Sequence, residues 1–177
     1  TKITKDKELL LRNNALLLLQ IKTLKNVTIN EFHANTEEEW ARLNNYTLVE
    51  VAGDGNCLFG AFSKYMCNFS PDCVEDFNHD KIRENICDNM KRILRELRIF
   101  TEEIIDENFR ITCDQKGWGS EIDILLFHKL YGIDVIMLNF SKHENYEIKH
   151  INENNPSTNP LILSYVNNNH FNIMKKN

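Results

Sequence analysis

Apolar side chains recur at helical spacing along the first three quarters of the chain. Between residues 80 and 97, Ile82, Ile86, Met90 and Ile93 stand three or four positions apart and share one face of a predicted helix. The same kind of spacing predicts further helices, which cover residues 5–24, 37–44, 57–65, 100–109 and 121–130. The chain therefore begins as a largely helical protein.

Capping residues mark the ends of two of these helices. Thr36 stands at the N-cap of the helix that begins at residue 37, and Glu39 occupies the third helical position. Ser120 and Asp123 repeat that arrangement before the last helix. Gly132 follows that helix and predicts its end, because glycine readily adopts the left-handed conformation of a C-terminal cap.

The N-terminal helix carries a heptad pattern, with Leu10, Leu17 and Leu24 seven residues apart. A stable coiled coil needs a second apolar position in each heptad, and Lys7 and Asn14 occupy that position here. Packing against the rest of the chain is therefore favoured over a free partner-binding arm. Residues 1–30 are predicted to form a helical extension, and residues 31–177 to form one domain.

The pattern changes to short β-rich runs after Gly132. Strands are predicted at residues 133–138, 146–151, 161–166 and 170–174, and a brief extended segment at residues 46–51. Because helices come first and most strands last, the pattern predicts an α+β fold with a mixed arrangement of layers.

Composition restricts the classes of function. The 177 residues include 42% hydrophobic and 27% charged residues, as in an ordinary globular protein, and the formal net charge is -5. Nucleic-acid binding is not expected, because it would require a clustered basic face. No apolar run approaches the roughly 20 residues of a membrane-spanning helix.

The cysteines favour free thiols. Cys57, Cys67, Cys73, Cys87 and Cys113 form an odd set without a Cys-x-x-Cys pair. Disulfide frameworks favour even numbers, and zinc sites favour closely paired ligands. We therefore expect free thiols in a reducing compartment, the cytoplasm, with no metal or organic cofactor and with one reactive cysteine at most.

The strongest chemical signal is the stretch Gly-Asp-Gly-Asn-Cys-Leu-Phe-Gly-Ala-Phe at residues 53–62. Cys57 lies at a tight turn directly before an apolar helix, where the N-terminal helix dipole is expected to favour the thiolate. Gly55 allows the turn to bend sharply and to approach a substrate closely. A buried, inert cysteine beside a glycine-rich turn is the alternative.

A nucleophilic thiol needs a histidine to accept its proton and a third group to orient the histidine ring. Of the six histidines, His170 opens the last predicted strand. Side chains alternate along a strand, so His170 and Asn172 share a face while Phe171 and Ile173 point into the core. Asn172 can thus hold the imidazole of His170 toward the thiol.

These motifs resemble the ovarian-tumour (OTU) family of deubiquitinases. The stretch from Asp54 to Phe59, then Trp118-Gly119 before a helix, then His170-Phe171-Asn172 follow the order of that family from about residue 46 to the C-terminus. The resemblance implies a papain-like OTU fold, in which a central, mostly antiparallel or mixed β-sheet lies between helical layers.

The resemblance also implies a role for each catalytic residue. Cys57 is the nucleophile, His170 the general base and then acid, and Asn172 the residue that orients His170. Asp54 shapes the turn that supports the oxyanion hole, and in some family members it contributes to the triad. The third triad member therefore stays open between Asp54 and Asn172.

Family members hydrolyse the isopeptide bond after the Gly-Gly tail of ubiquitin, so ubiquitin or polyubiquitin is the expected partner. Gly55 and Asn56 of the turn are expected to lie against the substrate. Trp118 and Gly119 are expected to wall a narrow channel that admits only Gly-Gly. Trp118 is otherwise explained as a core residue or loop anchor.

Two other functions remain open at this point. One is a non-catalytic ubiquitin-binding module, against which the intact Cys57, His170 and Asn172 argue. The other is a protease for a different ubiquitin-like modifier. Ser120 and Gly60 stand where the family often has Gly and Arg, and neither difference removes a catalytic group.

Overall fold

The computed structural model describes residues 21, 23–24, 27–69, 78–140, 145–152, 154–156, 159–167 and 169–177. Six strands and five α-helices lie within them. In chain order they are β1 Val27–Glu31, α1 Glu37–Asn44, β2 Tyr46–Val49, α2 Cys57–Lys64, α3 His79–Leu97, α4 Glu102–Phe109, α5 Glu121–Tyr131, β3 Val135–Phe140, β4 Tyr146–His150, β5 Leu161–Val166 and β6 His170–Lys176. Two π-helical turns, Tyr65–Phe69 and Arg110–Asp114, continue α2 and α4.

The strands form one mixed sheet in the order β1-β4-β3-β5-β6-β2. Strands β3 and β5 are parallel, and the other neighbours are antiparallel. Strand β6 lies between β5 and β2, and its register places Ser164 opposite Asn172 and Tyr165 opposite Phe171. The C-terminal strand is thus an interior strand of the sheet.

Alternating side chains place apolar residues on both faces of the sheet. One face carries Phe171 and Ile173 and packs in the larger core with the helices from α2 to α5, which contribute residues such as Phe62 and Phe127. The opposite face is covered by α1 in a smaller core, which contains Trp40, Ala41, Leu138, Ile162 and Met174. The predicted fold class, a sheet between helical layers, is confirmed.

Most predicted elements are confirmed, with ends that agree or differ by at most two residues. The N–H of Glu39 donates to the hydroxyl of Thr36 at 3.1 Å, as predicted, but the Glu39 side chain accepts from the N–H of Asn35 at 2.9 Å. The carboxylate of Asp123 accepts from the N–H of Ser120 at 2.8 Å. Gly132 ends α5 with a φ of 66°.

Strand β1 is a difference from the prediction. Residues 27–31 pair with β4 and form an edge of the sheet, although the sequence analysis placed most of them in the N-terminal extension. The predicted helix over residues 5–24 lies almost wholly outside the described residues. Residues 67–78, which include Pro71, are predicted from the sequence to form a loop. That prediction is wrong at residues 67–69, which belong to a π-helical turn, and residues 70–77 lie outside the described part.

The cysteine prediction is wrong for one pair. A disulfide joins Cys87 of α3 to Cys113, with their Cα atoms 5.8 Å apart. The pairing is long-range in sequence and arises because the turn after α4 packs on α3, which cysteine spacing cannot reveal. Free thiols at these two positions were part of the case for a reducing compartment. Within the described ranges, no helix is both long and apolar enough to cross a bilayer.

Candidate active site

Cys57 begins α2 at the end of a turn built on Asp54. The carboxylate of Asp54 accepts from the N–H of Asn56 at 2.9 Å, and its carbonyl accepts from the N–H of Cys57 at 3.3 Å. The Cys57 side chain is buried, whereas Asp54 is exposed. The chain therefore passes within three residues from an exposed turn to a largely covered thiol.

Burial raises the pKa of the Cys57 thiol. Backbone hydrogen bonds from Phe171 and Leu58 lower it, and the negative charge of Asp54 raises it further. The sequence analysis expected the helix start to favour the thiolate, but the net shift has the opposite sign because desolvation outweighs the backbone donors. Activation of this thiol therefore requires a partner that accepts its proton.

His170 and Asn172 lie on one face of β6 and are hydrogen-bonded. Nε2 of His170 lies 2.8 Å from Oδ1 of Asn172, which also accepts the N–H of Val51 at 3.0 Å. Oδ1 is an acceptor, so Nε2 carries the hydrogen and Nδ1 is the basic nitrogen. His170 is half-buried and lies beside the turn, since a Cβ on Gly53 would be 4.0 Å from its Cε1.

Phe171 connects this strand to the thiol. It lies between His170 and Asn172, and its backbone forms a hydrogen bond to Cys57. Its ring stacks on Tyr165 at 4.6 Å. Burial, together with the charges of Cys57, Tyr146 and Glu121, raises the pKa of Tyr165 to about 12. This phenol therefore stays protonated at neutral pH and is no general base.

Trp118 and Gly119 lie against the same turn. Trp118 is 39% exposed, and a Cβ on Gly55 would lie 3.3 Å from its Nε1. A Cβ on Gly119 would lie 2.4 Å from Cδ2 of Leu58, the buried residue after Cys57. Gly119 thus permits close packing behind the thiol, while Trp118 presents an aromatic surface beside the turn.

Arg83 of α3 is a site residue that the sequence analysis missed. Its guanidinium donates to Oδ1 of Asn56 at 2.8 Å and to the carbonyls of Thr112 and Gly117 at 3.0 and 2.8 Å. It is buried, 4% exposed, and lies 4.0 Å from the centre of the Phe59 ring. The sequence signal that could have identified Arg83 is its place beside Ile82, at the edge of the apolar face of the predicted helix.

Glu37 of α1 was also missed. Its Oε2 accepts from Nδ2 of Asn172 at 3.1 Å and from the hydroxyl of Ser164. An acidic residue in the first turn of a helix is ordinary, because it complements the helix dipole. No sequence signal distinguishes this carboxylate from those of Glu38 and Glu39.

Two other histidines, His128 and His150, are buried. His150 is fully buried, and its Nε2 lies 3.5 Å from the Glu121 carboxylate. His128 of α5 bonds to the carbonyl of Ile133 at 2.7 Å, and burial lowers its pKa. Within the described residues, no three His, Cys, Asp or Glu side chains converge as metal ligands would.

The sequence profile of the family described as OTU-like cysteine protease matches residues 52–171 of the chain. The matched segment begins at the Asp54 turn and ends between His170 and Asn172. It thus includes two of the three motifs and most of the third. Comparison with curated protein sequences gives no match.

Solved structures with the same fold include several viral proteases. The viral OTU domain protease of Taggert virus has a TM-score of 0.62 at 18% identity, over 86% of this chain and 89% of that one. The OTU domain of OTUD1 has a TM-score of 0.59 at 18% identity, over 78% and 91%. The Hazara virus OTU bound to ubiquitin has a TM-score of 0.55 at 12% identity, over 86% and 91%.

Proposed function

The chain belongs to the family of OTU-like cysteine proteases, and we propose that it is a deubiquitinase that hydrolyses the bond after the C-terminal Gly-Gly of ubiquitin. Two contacts of β6 carry the proposal. His170 and Asn172 are hydrogen-bonded to each other, and the backbone of Phe171, which lies between them, is hydrogen-bonded to Cys57. One of the structurally similar proteases, from Hazara virus, is bound to ubiquitin, which supports the choice of substrate.

In the first half of the reaction, Nδ1 of His170 takes the proton of the Cys57 thiol. The thiolate then attacks the carbonyl carbon of the terminal glycine. The tetrahedral intermediate collapses when the C–N bond breaks and His170 returns the proton to the leaving lysine amine. Ubiquitin remains bound to Cys57 as a thioester.

In the second half, His170 removes a proton from water, and the resulting hydroxide attacks the thioester carbonyl. The C–S bond breaks and the proton on His170 returns to the sulfur. Ubiquitin leaves with a free C-terminal carboxyl group, which releases the second proton of the water to solvent and becomes a carboxylate. No metal or organic cofactor takes part in these steps.

Backbone N–H groups of the turn are the proposed oxyanion donors. The N–H groups of Asn56 and Cys57 both donate to Asp54. We infer that these two N–H groups release Asp54 and donate to the oxyanion as the tetrahedral intermediate forms. Asp54 would then hold the turn in place between catalytic cycles.

Asn172 is the favoured third member of the triad. Its Oδ1 lies at hydrogen-bond distance from Nε2 of His170, whereas the Asp54 carboxylate is directed to the N–H of Asn56. Trp118 and Gly119 are proposed to flank the Gly-Gly tail, because the exposed indole lies beside the turn. Side chains larger than glycine would meet that indole.

Ubiquitin with a thiol-reactive group at its C-terminus tests the proposal. We expect a covalent adduct with the wild-type chain whose modified peptide contains Cys57. The Cys57→Ala variant should form no adduct, and His170→Ala should form it far more slowly, while both keep the wild-type circular dichroism spectrum. The wild type should also cleave ubiquitin chains.

Matched probes made from ubiquitin-like modifiers separate the remaining functions. Faster labelling by one of these modifiers than by ubiquitin would move the substrate assignment to that modifier. Binding of ubiquitin with neither labelling nor cleavage would identify a non-catalytic binding module. A folded, reduced protein that neither binds nor reacts with any probe would contradict the proposed function.

A further inference from the structure

The orientation of the Asn172 amide is determined from three sides. Its Oδ1 accepts from the N–H of Val51 at 3.0 Å and faces Nε2 of His170 at 2.8 Å. Its Nδ2 donates to Oε2 of Glu37 at 3.1 Å. Rotating the amide by 180° would place its donors against the Val51 and His170 donors and its oxygen against a carboxylate, so one orientation is strongly favoured.

Glu37 is itself held in place for this contact. Ser164 and Asn172 are directly opposite in the β5–β6 ladder, so their side chains stand on the same face of the sheet beneath α1. Ser164 is fully buried and its hydroxyl donates to the same Oε2 that accepts from Asn172. The carboxylate is therefore anchored by two donors from the strands below it.

This arrangement makes a continuous hydrogen-bonded series from Glu37 through Asn172 to His170. An amide carries no charge, so Asn172 alone offers the imidazolium less stabilisation than a carboxylate would. Glu37 supplies a negative charge at the far end of the series and polarises the amide toward the ring. The Asp54 carboxylate, whose charge acts on the thiol, accepts from the N–H of Asn56 instead.

We propose that Glu37 is a positioning residue, which fixes the Asn172 amide and thereby keeps the hydrogen of His170 on Nε2 and its Nδ1 free for the Cys57 proton. The inference rests on the proposed roles of Cys57 and His170. The proton balance is simple: the S–H bond of Cys57 breaks, and an N–H bond forms on Nδ1 of His170. Glu37 lies outside the matched residues 52–171 and touches no reacting atom.

The rate at which iodoacetamide alkylates Cys57 at pH 7 tests this inference without ubiquitin. Alkylation follows the thiolate fraction, which the proton transfer to His170 creates. We expect Glu37→Ala to lower the rate about tenfold, the effect of a one-unit rise in the thiol pKa. Peptide mass analysis assigns the alkylated residue, and Cys57→Ser gives the background.

Two further variants separate orientation from charge and from general damage. Glu37→Gln keeps an acceptor oxygen for Asn172 but removes the charge, so we expect a rate between those of wild type and Glu37→Ala. Glu38→Ala changes the exposed neighbour in the same turn and should react at the wild-type rate. If Glu37→Ala does not fold, Glu37→Leu, which is similar in size but offers no acceptor to Asn172, takes its place, and a wild-type rate for it would overturn the inference.

A double-mutant cycle then tests whether Glu37 acts through Asn172. In the Asn172→Ala background, Glu37→Ala should cause no further loss of alkylation rate. A second loss of equal size would show an independent effect and overturn the inference, as would a wild-type rate for Glu37→Ala alone. Rapid alkylation without labelling by the ubiquitin probe would count against the proposed function only.

Discussion

Arg83 donates a 2.8 Å hydrogen bond to the side-chain oxygen of Asn56, the residue immediately before Cys57. The same guanidinium donates hydrogen bonds to the carbonyls of Thr112 and Gly117, which precede Trp118 in the chain. One buried side chain therefore joins the turn that carries the thiol to the segment that carries the exposed tryptophan. The two loops of the candidate site are fixed relative to each other by α3.

Replacing Arg83 tests this connection. Arg83→Ala leaves one buried and two part-buried acceptors without their donor, and we expect it to lower the free energy of unfolding by about 3 kcal/mol. Urea unfolding measures the loss. Arg92→Ala on an exposed part of the same helix should cost less than about 0.5 kcal/mol. Equal stability of the two variants would contradict the bridging role.

Gly119→Ala tests the close packing behind the thiol. The added methyl group would lie 2.4 Å from Cδ2 of Leu58, which is fully buried and has little room to move. We expect a loss of about 1–3 kcal/mol in the free energy of unfolding and slower labelling of Cys57. Gly53→Ala is the stability control, because its methyl group would be 4.0 Å from the nearest atom. The packing argument fails if both variants unfold at the same urea concentration.

Trp118→Ala separates a substrate contact from a core residue. Because Trp118 is 39% exposed, we expect a loss of stability below about 1 kcal/mol. The rate of ubiquitin cleavage should fall about tenfold or more if the indole walls the channel for the Gly-Gly tail. The buried Trp40 gives the contrast, since Trp40→Ala should cost about 3–5 kcal/mol. A large loss of stability with Trp118→Ala would favour the role of a loop anchor.

Asp54→Asn decides between the two candidates for the third triad member. The negative charge of Asp54 raises the pKa of Cys57, and the variant removes that charge but keeps an oxygen for the N–H of Asn56. We expect the pH profile of Cys57 alkylation to shift to lower pH. Asp106→Asn, at an exposed site on α4, should leave the profile unchanged. A loss of activity as large as that of Asn172→Ala would instead assign the orienting role to Asp54.

Asp123 should give the protein a distinctive pH dependence. Burial raises the pKa of this carboxyl to about 6. The N–H of Ser120 and the charge of Arg83 lower the pKa, but their effect is smaller than that of burial. A raised pKa means that the folded state favours the protonated form. Its contribution to stability is therefore fully present below the unfolded value of 3.8 and is lost as pH rises through about 6.

Asp123→Asn removes this titration and is the reference for it. The difference in free energy of unfolding, wild type minus variant, should fall by about 3 kcal/mol between pH 4 and pH 7. Urea unfolding at several pH values measures that difference. A difference that stays constant or rises with pH would contradict a raised pKa for Asp123.

The helices and most of the strands could be predicted from the sequence because their signals are local. Apolar spacing identified α3, the caps at Thr36 and Ser120 marked where helices begin, and a short β-rich run between loops identified β5 with its observed bounds. Strand β1 was missed because a five-residue edge strand with one buried side chain has almost no periodic signal of its own. Pairing with β4 stabilises it, and pairing is a property of the sheet.

The candidate site divides in the same way. The order of Cys57, His170 and Asn172 and the elements on which they lie could be predicted from the sequence, and alternation along a strand predicts that His170 and Asn172 share a face. The buried groups that orient the site could not be predicted in this way. Glu37 is 135 residues from Asn172 in the sequence, and Arg83 is 27 residues from Asn56. The disulfide between Cys87 and Cys113 and the raised pKa of Cys57 likewise depend on what folding buries.

By itself, then, the sequence determined most of the elements, the family motifs and the candidate nucleophile, because covalent order and side-chain periodicity act over a few residues. Only the tertiary structure decided which buried groups orient Asn56 and Asn172 and whether the thiol is activated by its surroundings. Those outcomes depend on desolvation and on distances between atoms far apart in the chain, and both arise only when the helices pack on the sheet.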